Sequence, residues 1–163
     1  MKRPQGRAPS AADLIALHGL RPHPEGGFYR ETYRSGGRTA RGRRYSTAIY
    51  FLLPAGARSR LHRLKSDELW HFYLGGPLTV AQIHPGGRVE RTVLGPDAAA
   101  GQTQQLVVPA GVWFGAYPEP GTSYSFVGCT VAPGFDFEDF EIADAAALLA
   151  EFPGAAALIK KLA

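Results

Sequence analysis

A chain of 163 residues, 45% apolar and 20% charged, has the size and balance of one globular domain with its own core. No apolar run nears the ~18 residues of a membrane span and no signal-peptide pattern opens the chain, which excludes a membrane partner and predicts a cytoplasmic protein. Cys129 is the only cysteine, so an internal disulfide is excluded, and the net charge of +4 leaves a nucleic-acid role to be decided by where the cations lie.

The opening MKRPQGRAPS carries basic residues without an apolar stretch, so residues 1–10 read as a disordered basic tail and 11–163 as a single domain. Ser10 followed by Asp13 is a capping box before Leu14, Ile15 and Leu17, with Gly19 as the stop, which predicts a helix over 11–18. RPHPEGG (21–27) holds two prolines and two glycines and cannot be regular. FYRETYRS alternates as a strand, with Tyr29, Glu31 and Tyr33 on one face. The arginines of GGRTARGRR (Arg38, Arg41, Arg43 and Arg44) lack interleaved aromatics, so a solvated hairpin loop is preferred over a nucleic-acid surface.

Further strands are predicted over 45–53, 59–64, 68–74, 78–84, 89–94, 102–108, 112–117 and 124–131, separated by Pro/Gly turns. About ten strands at hairpin spacing with no helix between them indicate a sandwich or closed barrel. Cys129 sits in the apolar run SFVGCTVAP and reads as a buried, inert thiol. Asp144 caps a helix over 145–152, Pro153 breaks it, and a last helix ends at Lys160-Lys161, so the chain closes with a helical cover.

The chemistry concentrates in GARSRLHRLKSDELWHFYLG (56–75), read as strand, turn and strand. Period two sends Glu68, Trp70 and Phe72 to one face, opposite His62 and Leu64 of the preceding strand. A carboxylate among apolar side chains costs several kcal/mol unless it is paired, so Glu68 should meet His62 or a ligand. Two readings stand: an acid–base pair serving a ligand, or a satisfied structural pair. Arg60 shares the parity of His62 and is a candidate anion anchor; a surface arginine is the alternative. Gln102 and Gln104 suit a hydroxylated ligand, while Trp70 and Trp113 suit stacking on a sugar face or simply the core. His23 and Glu25 either close over the cavity, join a dimer contact or sit on a polar turn.

Gly56, His62, Glu68 and Gly75 follow a spacing that resembles the first motif of the cupin superfamily, with Leu64 where a second histidine is usual. The second motif is similar to the run of Gly101, Pro109 and Gly111, with Phe114 at the third histidine position and Pro118 at the final asparagine. The resemblance therefore implies no tightly bound metal and no other cofactor; His62 and Glu68 would be the ligands if one bound, joined by His71 if its strand carries a bulge. PHPEGGFYRETYRS, STAIYFLL, HRLKSDELWHFYLGGPL, VVPAGVWFGA and GCTVAPGFDFEDFEIA together resemble the small single-domain cupin family once catalogued as a domain of unknown function. That resemblance implies an all-β fold, a double-stranded β-helix (jelly-roll) barrel with a short N-terminal helix and C-terminal helices, usually a homodimer, shaped like the sugar-nucleotide epimerases.

The function expected from these residues is the binding of a small polar metabolite in the barrel. A metal-independent sugar or sugar-nucleotide epimerase or isomerase is the preferred chemistry, with His62 as acid or base and Glu68 orienting it or carrying the second proton. The alternatives are a non-catalytic ligand-binding cupin and a metal-dependent cupin oxygenase.

Overall fold

The computed structural model describes residues 7–163; of the predicted basic tail, residues 1–6 lie outside the described residues. Helix α1 (Ala11–His18) forms where the capping box is complete: Asp13 N–H donates to Ser10 Oγ at 3.2 Å, and Ser10 N–H donates to Asp13 Oδ2 at 2.8 Å. Gly19, at φ 59°, ends it in the left-handed conformation that an L side chain resists. Leu14 and Leu20 then pack on Leu52, Tyr124 and Phe126.

The strands are β1 (Arg21–Pro22), β2 (Phe28–Arg34), β3 (Thr47–Pro54), β4 (Ser59–Arg63), β5 (Asp67–Gly75), β6 (Leu78–Ile83), β7 (Val89–Leu94), β8 (Gln105–Val108), β9 (Trp113–Pro118), β10 (Tyr124–Ala132) and β11 (Glu141–Ile142). They make a six-stranded sheet in the order β1-β2-β3-β10-β5-β8 and a five-stranded sheet in the order β11-β4-β9-β6-β7, with antiparallel neighbours in both. The chain crosses repeatedly between the two sheets, which is the jelly-roll arrangement.

Period two divides each strand between two environments. Phe51, Leu53, Trp70, Val127 and Cys129 of the first sheet meet Leu78, Val80, Phe114 and Ala116 of the second, and these form the interior. The opposite face of the second sheet, through Leu61, Ala81, Ile83 and Trp113, is covered by helices α2 (Ala145–Glu151) and α3 (Ala156–Leu162) using Leu148, Leu158, Ile159 and Leu162. Each such side chain contributes about 1.5–3 kcal/mol of burial, which holds the cover down. No helix among the described residues is long and apolar enough to cross a membrane.

Three register shifts interrupt the simple alternation, one of them between Phe126 and Val127 in the β5–β10 pairing. The β2–β3 register shifts between Glu31 and Tyr33, so Tyr29 and Glu31 stay inside while Tyr33 is exposed and Arg34 turns toward the interior. The β4–β9 register shifts between Ser59 and His62, so both are buried although an odd number of positions separates them. The strand predicted from Gln102 starts only at Gln105, because the residues before it are tied into the β7–β8 turn.

Candidate active site

A cavity of about 290 Å³ opens between the sheets. Its polar lining comes from His23 and Glu25 of the β1–β2 loop, Glu31 and Arg34 of β2, His62 of β4 and Glu68 of β5; Phe135, Phe137 and Phe140 form an aromatic side. The irregular loop places its acid by backbone geometry. Gly26 and Gly27 have φ of 113° and 69°, and a Cβ on Gly26 would lie 2.1 Å from the Arg58 carbonyl oxygen. Arg60 N–H donates to the Glu25 carbonyl at 2.8 Å, which ties this loop to β4.

Glu25 and His62 are joined side chain to side chain. Glu25 Oε2 lies 3.1 Å from His62 Nε2, and Ser59 Oγ donates to Glu25 Oε1 at 3.0 Å. His62 Nδ1 is 2.7 Å from the Arg60 carbonyl, which can only accept, so Nδ1 carries a hydrogen. Nε2 faces the Glu25 carboxyl as a close polar contact. Burial pushes the Glu25 carboxyl up to about 8, against the pull of the Ser59 hydrogen bond. Burial also holds His62 below the usual histidine range, opposed by the charge of Glu68 and the Arg60 carbonyl. Burial therefore disfavours the charged form of both groups.

Glu68 is buried, and its Oε2 has no hydrogen-bond partner among the described residues. Burial raises its carboxyl to about 7, against the pull of His62. His23 is pressed down to about 4, mainly by burial and then by His62. Its Nδ1 accepts the Glu25 N–H at 3.2 Å, so the 3.7 Å approach of Nδ1 to Glu25 Oε2 is a contact of a neutral ring, not an ion pair.

The cavity thus gathers His62 and Glu68, as the sequence suggests, but they form no ion pair; the partner of His62 is Glu25. The other expected lining residues lie elsewhere. Trp70 is buried behind the cavity between Phe51 and Phe114, at ring distances of 5.8 and 6.3 Å. Trp113 is on the far face of its sheet, under the helical cover with the Arg63 guanidinium 4.4 Å above its ring. Gln102 accepts the Asp97 N–H at 3.0 Å and Gln104 donates to the Gly95 carbonyl at 3.2 Å, so both amides brace a turn. The β4 bulge breaks the parity that linked Arg60 to His62, and the Arg60 side chain does not line the cavity. Of the three places the sequence leaves open for His23 and Glu25, the structure has the cavity; the approach of Glu25 to His62 has no periodic signal, because the loop is irregular.

The donors do not fit a divalent metal. Among the described residues no three or more His, Cys, Asp or Glu side chains converge for one. His62 Nε2 is engaged by Glu25, and the Phe114 ring centroid lies 4.1 Å from that of His62, where an apolar ring supplies no lone pair. His71, the possible substitute ligand, contacts Thr130 Oγ1 at 3.2 Å and Gln105 at 3.1 Å, away from the cavity lining.

Residues 12–143 match the family described as cupin superfamily, DUF985. The chain belongs to this family. The crystal structure of protein SO0799 from Shewanella oneidensis shares 43% identity at a TM-score of 0.91, covering 96% of this chain and 98% of that one. The uncharacterized protein YML079W of Saccharomyces cerevisiae is 30% identical, covering 85% of this chain and 78% of its own length. Oxalate decarboxylase of Bacillus subtilis shares the fold at a TM-score of 0.56 with 16% identity, covering 81% of this chain and 34% of its own. That likeness extends the DUF985 cupin's jelly roll to the wider superfamily and no further.

Proposed function

We propose that this DUF985 cupin binds a small, polar, hydroxylated metabolite in the barrel and moves a proton on it without a metal, as in epimerisation or isomerisation beside a carbonyl. The observation that carries the reading is the 3.1 Å contact of Glu25 Oε2 with His62 Nε2 at a cavity that also holds the unpartnered Glu68 Oε2. A weak acid near neutrality and a second carboxyl near 7 are suited to opposite halves of one proton transfer. Glu68 in its ionised form accepts a proton from carbon next to the carbonyl. Glu25, beside His62 and Ser59, donates to the carbonyl oxygen to give an enediol. Its carboxylate then takes the proton of the neighbouring hydroxyl as Glu68 returns its own to the former carbonyl carbon, whereas epimerisation takes the opposite-face proton from water and releases that of Glu68 to water. The volume of about 290 Å³ lies at the lower end of ligand cavities, roughly 300–1,000 Å³, which favours a monosaccharide-sized reacting group.

A screen of monosaccharides, sugar acids and their phosphates by ligand-observed NMR in deuterated buffer tests this. A ligand that binds and gains deuterium on carbon, with the gain lost in Glu68→Gln while binding persists, supports it. Binding without deuterium uptake supports the second reading, a non-catalytic carrier, which the closed set of internal hydrogen bonds to Glu25 favours. The same proposal includes a cytoplasmic homodimer. Exposed Tyr33, Tyr73 and Val107 on three strands of the six-stranded sheet support the pairing, and light scattering coupled to gel filtration checks it.

A further inference from the structure

Beside the cavity lies a second, smaller cleft of about 150 Å³, and the two share Arg34 and Phe135 as a common wall. Four arginines line it (Arg34, Arg38, Arg43 and Arg44) against a single carboxylate, Asp136. Arg34 forks onto Glu31 at 2.8 and 2.6 Å, and Arg43 pairs with Asp136 at 3.1 Å and with Asp139. Arg38 and Arg44 are different. Each guanidinium is held by one N–H on a backbone carbonyl, Gly42 at 2.6 Å and Gly36 at 2.8 Å, and neither pairs with a carboxylate among the described residues. Gly134 N–H donates to the Arg44 carbonyl at 2.8 Å, which fixes this loop against the segment that walls the cavity.

Arg38 and Arg44 are thus the two cations of the cleft without a carboxylate among the described residues, and an anion with several oxygens would satisfy both. Guanidinium forks match phosphoryl oxygens in geometry as well as charge. We propose that this cleft is a phosphoryl site, so that the ligand is a phosphorylated metabolite whose reacting end enters the Glu25–His62–Glu68 cavity while its phosphate lies between Arg38 and Arg44. The proposal rests on the acid–base reading for the cavity half only. A nucleic-acid strand would need basic groups spread along a surface; here they converge on one cleft that shares Arg34 and Phe135 with the cavity.

The test is binding of inorganic phosphate and of pyrophosphate to the full chain, by calorimetry and by amide chemical shifts. Saturable binding is expected, weakened by added salt, with shifts confined to residues 36–44 and 134–136 and a loss of at least about tenfold in Arg38→Gln/Arg44→Gln, the change expected on removing two charge-assisted contacts. Should the double variant unfold, the exposed single variant Arg38→Gln is expected to lose about threefold or more in affinity. Tighter pyrophosphate than phosphate points to a diphosphate ligand, and equal affinity to a phosphate monoester; both support the cleft. No saturable binding at low salt, equal affinity in the variants, or shifts mapping elsewhere would overturn it. Neither outcome touches the cavity, since phosphate binding does not require Glu68, and Glu68→Gln is expected to bind both anions as the parent does.

Discussion

Glu25 Oε2 lies 3.1 Å from His62 Nε2, and the other imidazole nitrogen is committed to the Arg60 carbonyl at 2.7 Å. The ring is thereby oriented: a flip would put ring carbons where both nitrogens stood and lose both contacts.

This geometry separates two substitutions at Glu25. In Glu25→Gln the amide can still donate to His62 Nε2 and accept from Ser59, so urea unfolding should show a loss below about 1 kcal/mol, while proton transfer to ligand stops. Glu25→Ala strands both partners in a buried site and should lose about 2–6 kcal/mol, combining roughly 1–3 per orphaned group. Equal losses in the two variants would contradict a structural role for the Glu25 contacts.

Stability should depend on pH in a defined direction. Glu25 and Glu68 have folded values raised to about 8 and about 7, so their favourable contribution is complete below an ordinary glutamate value and is lost as pH rises through 7–8. His23 is depressed to about 4, so its contribution is complete above the ordinary histidine value and is lost as pH falls toward 4. His62 shifts in the same sense as His23. The acids and the histidines oppose each other in the weakly acidic range, and the acids act alone above it. Urea midpoints should therefore fall between about pH 6.5 and 8.5, and fall less in Glu25→Gln. A flat or rising profile there, or an unchanged slope in the variant, argues against the buried neutral acids.

Glu68 keeps an unsatisfied buried oxygen, which is unfavourable to the fold. Glu68→Leu should leave stability unchanged or raise it by about 1 kcal/mol while ligand turnover disappears, the exchange expected where a site is kept at the expense of the scaffold. A clear loss of stability would mean that the carboxyl is a structural element.

Gly26 bears the close approach that brings Glu25 inward. Gly26→Ala meets both the φ of 113° and the Arg58 carbonyl at 2.1 Å, so a loss of about 2 kcal/mol or more is expected. Gly111→Ala has a comparable φ of 79° with open space around the new methyl, so it should cost less. Differential scanning calorimetry of the two variants gives the comparison, and equal costs would show that the steric contact is relieved.

The barrel was readable because its strands alternate between Pro/Gly turns, and the capping residues Ser10 and Asp144 marked two helices within a residue of their ends. His62 and Glu68 were legible because strand parity and spacing carried them inside. Parity failed where a bulge adds a residue: Arg34 was turned inward and Arg60 lost its link to His62. It also cannot say which face of a buried strand is the lumen, so Trp113 stays open between ligand stacking and core on sequence alone, and the structure has it in the core under the helices. The sequence leaves Glu25 open between cavity, dimer contact and polar turn, because its position follows from glycine dihedrals and from one backbone bond to Arg60, neither of which leaves a periodic trace.

The Arg60 N–H bond to the Glu25 carbonyl stitches a loop of one sheet to a strand of the other beside the Glu25–His62 contact. A half-assembled chain, with either sheet formed by itself, lacks one partner of that contact. The contact therefore exists only where the two sheets have closed on each other, and its presence reports that they have met.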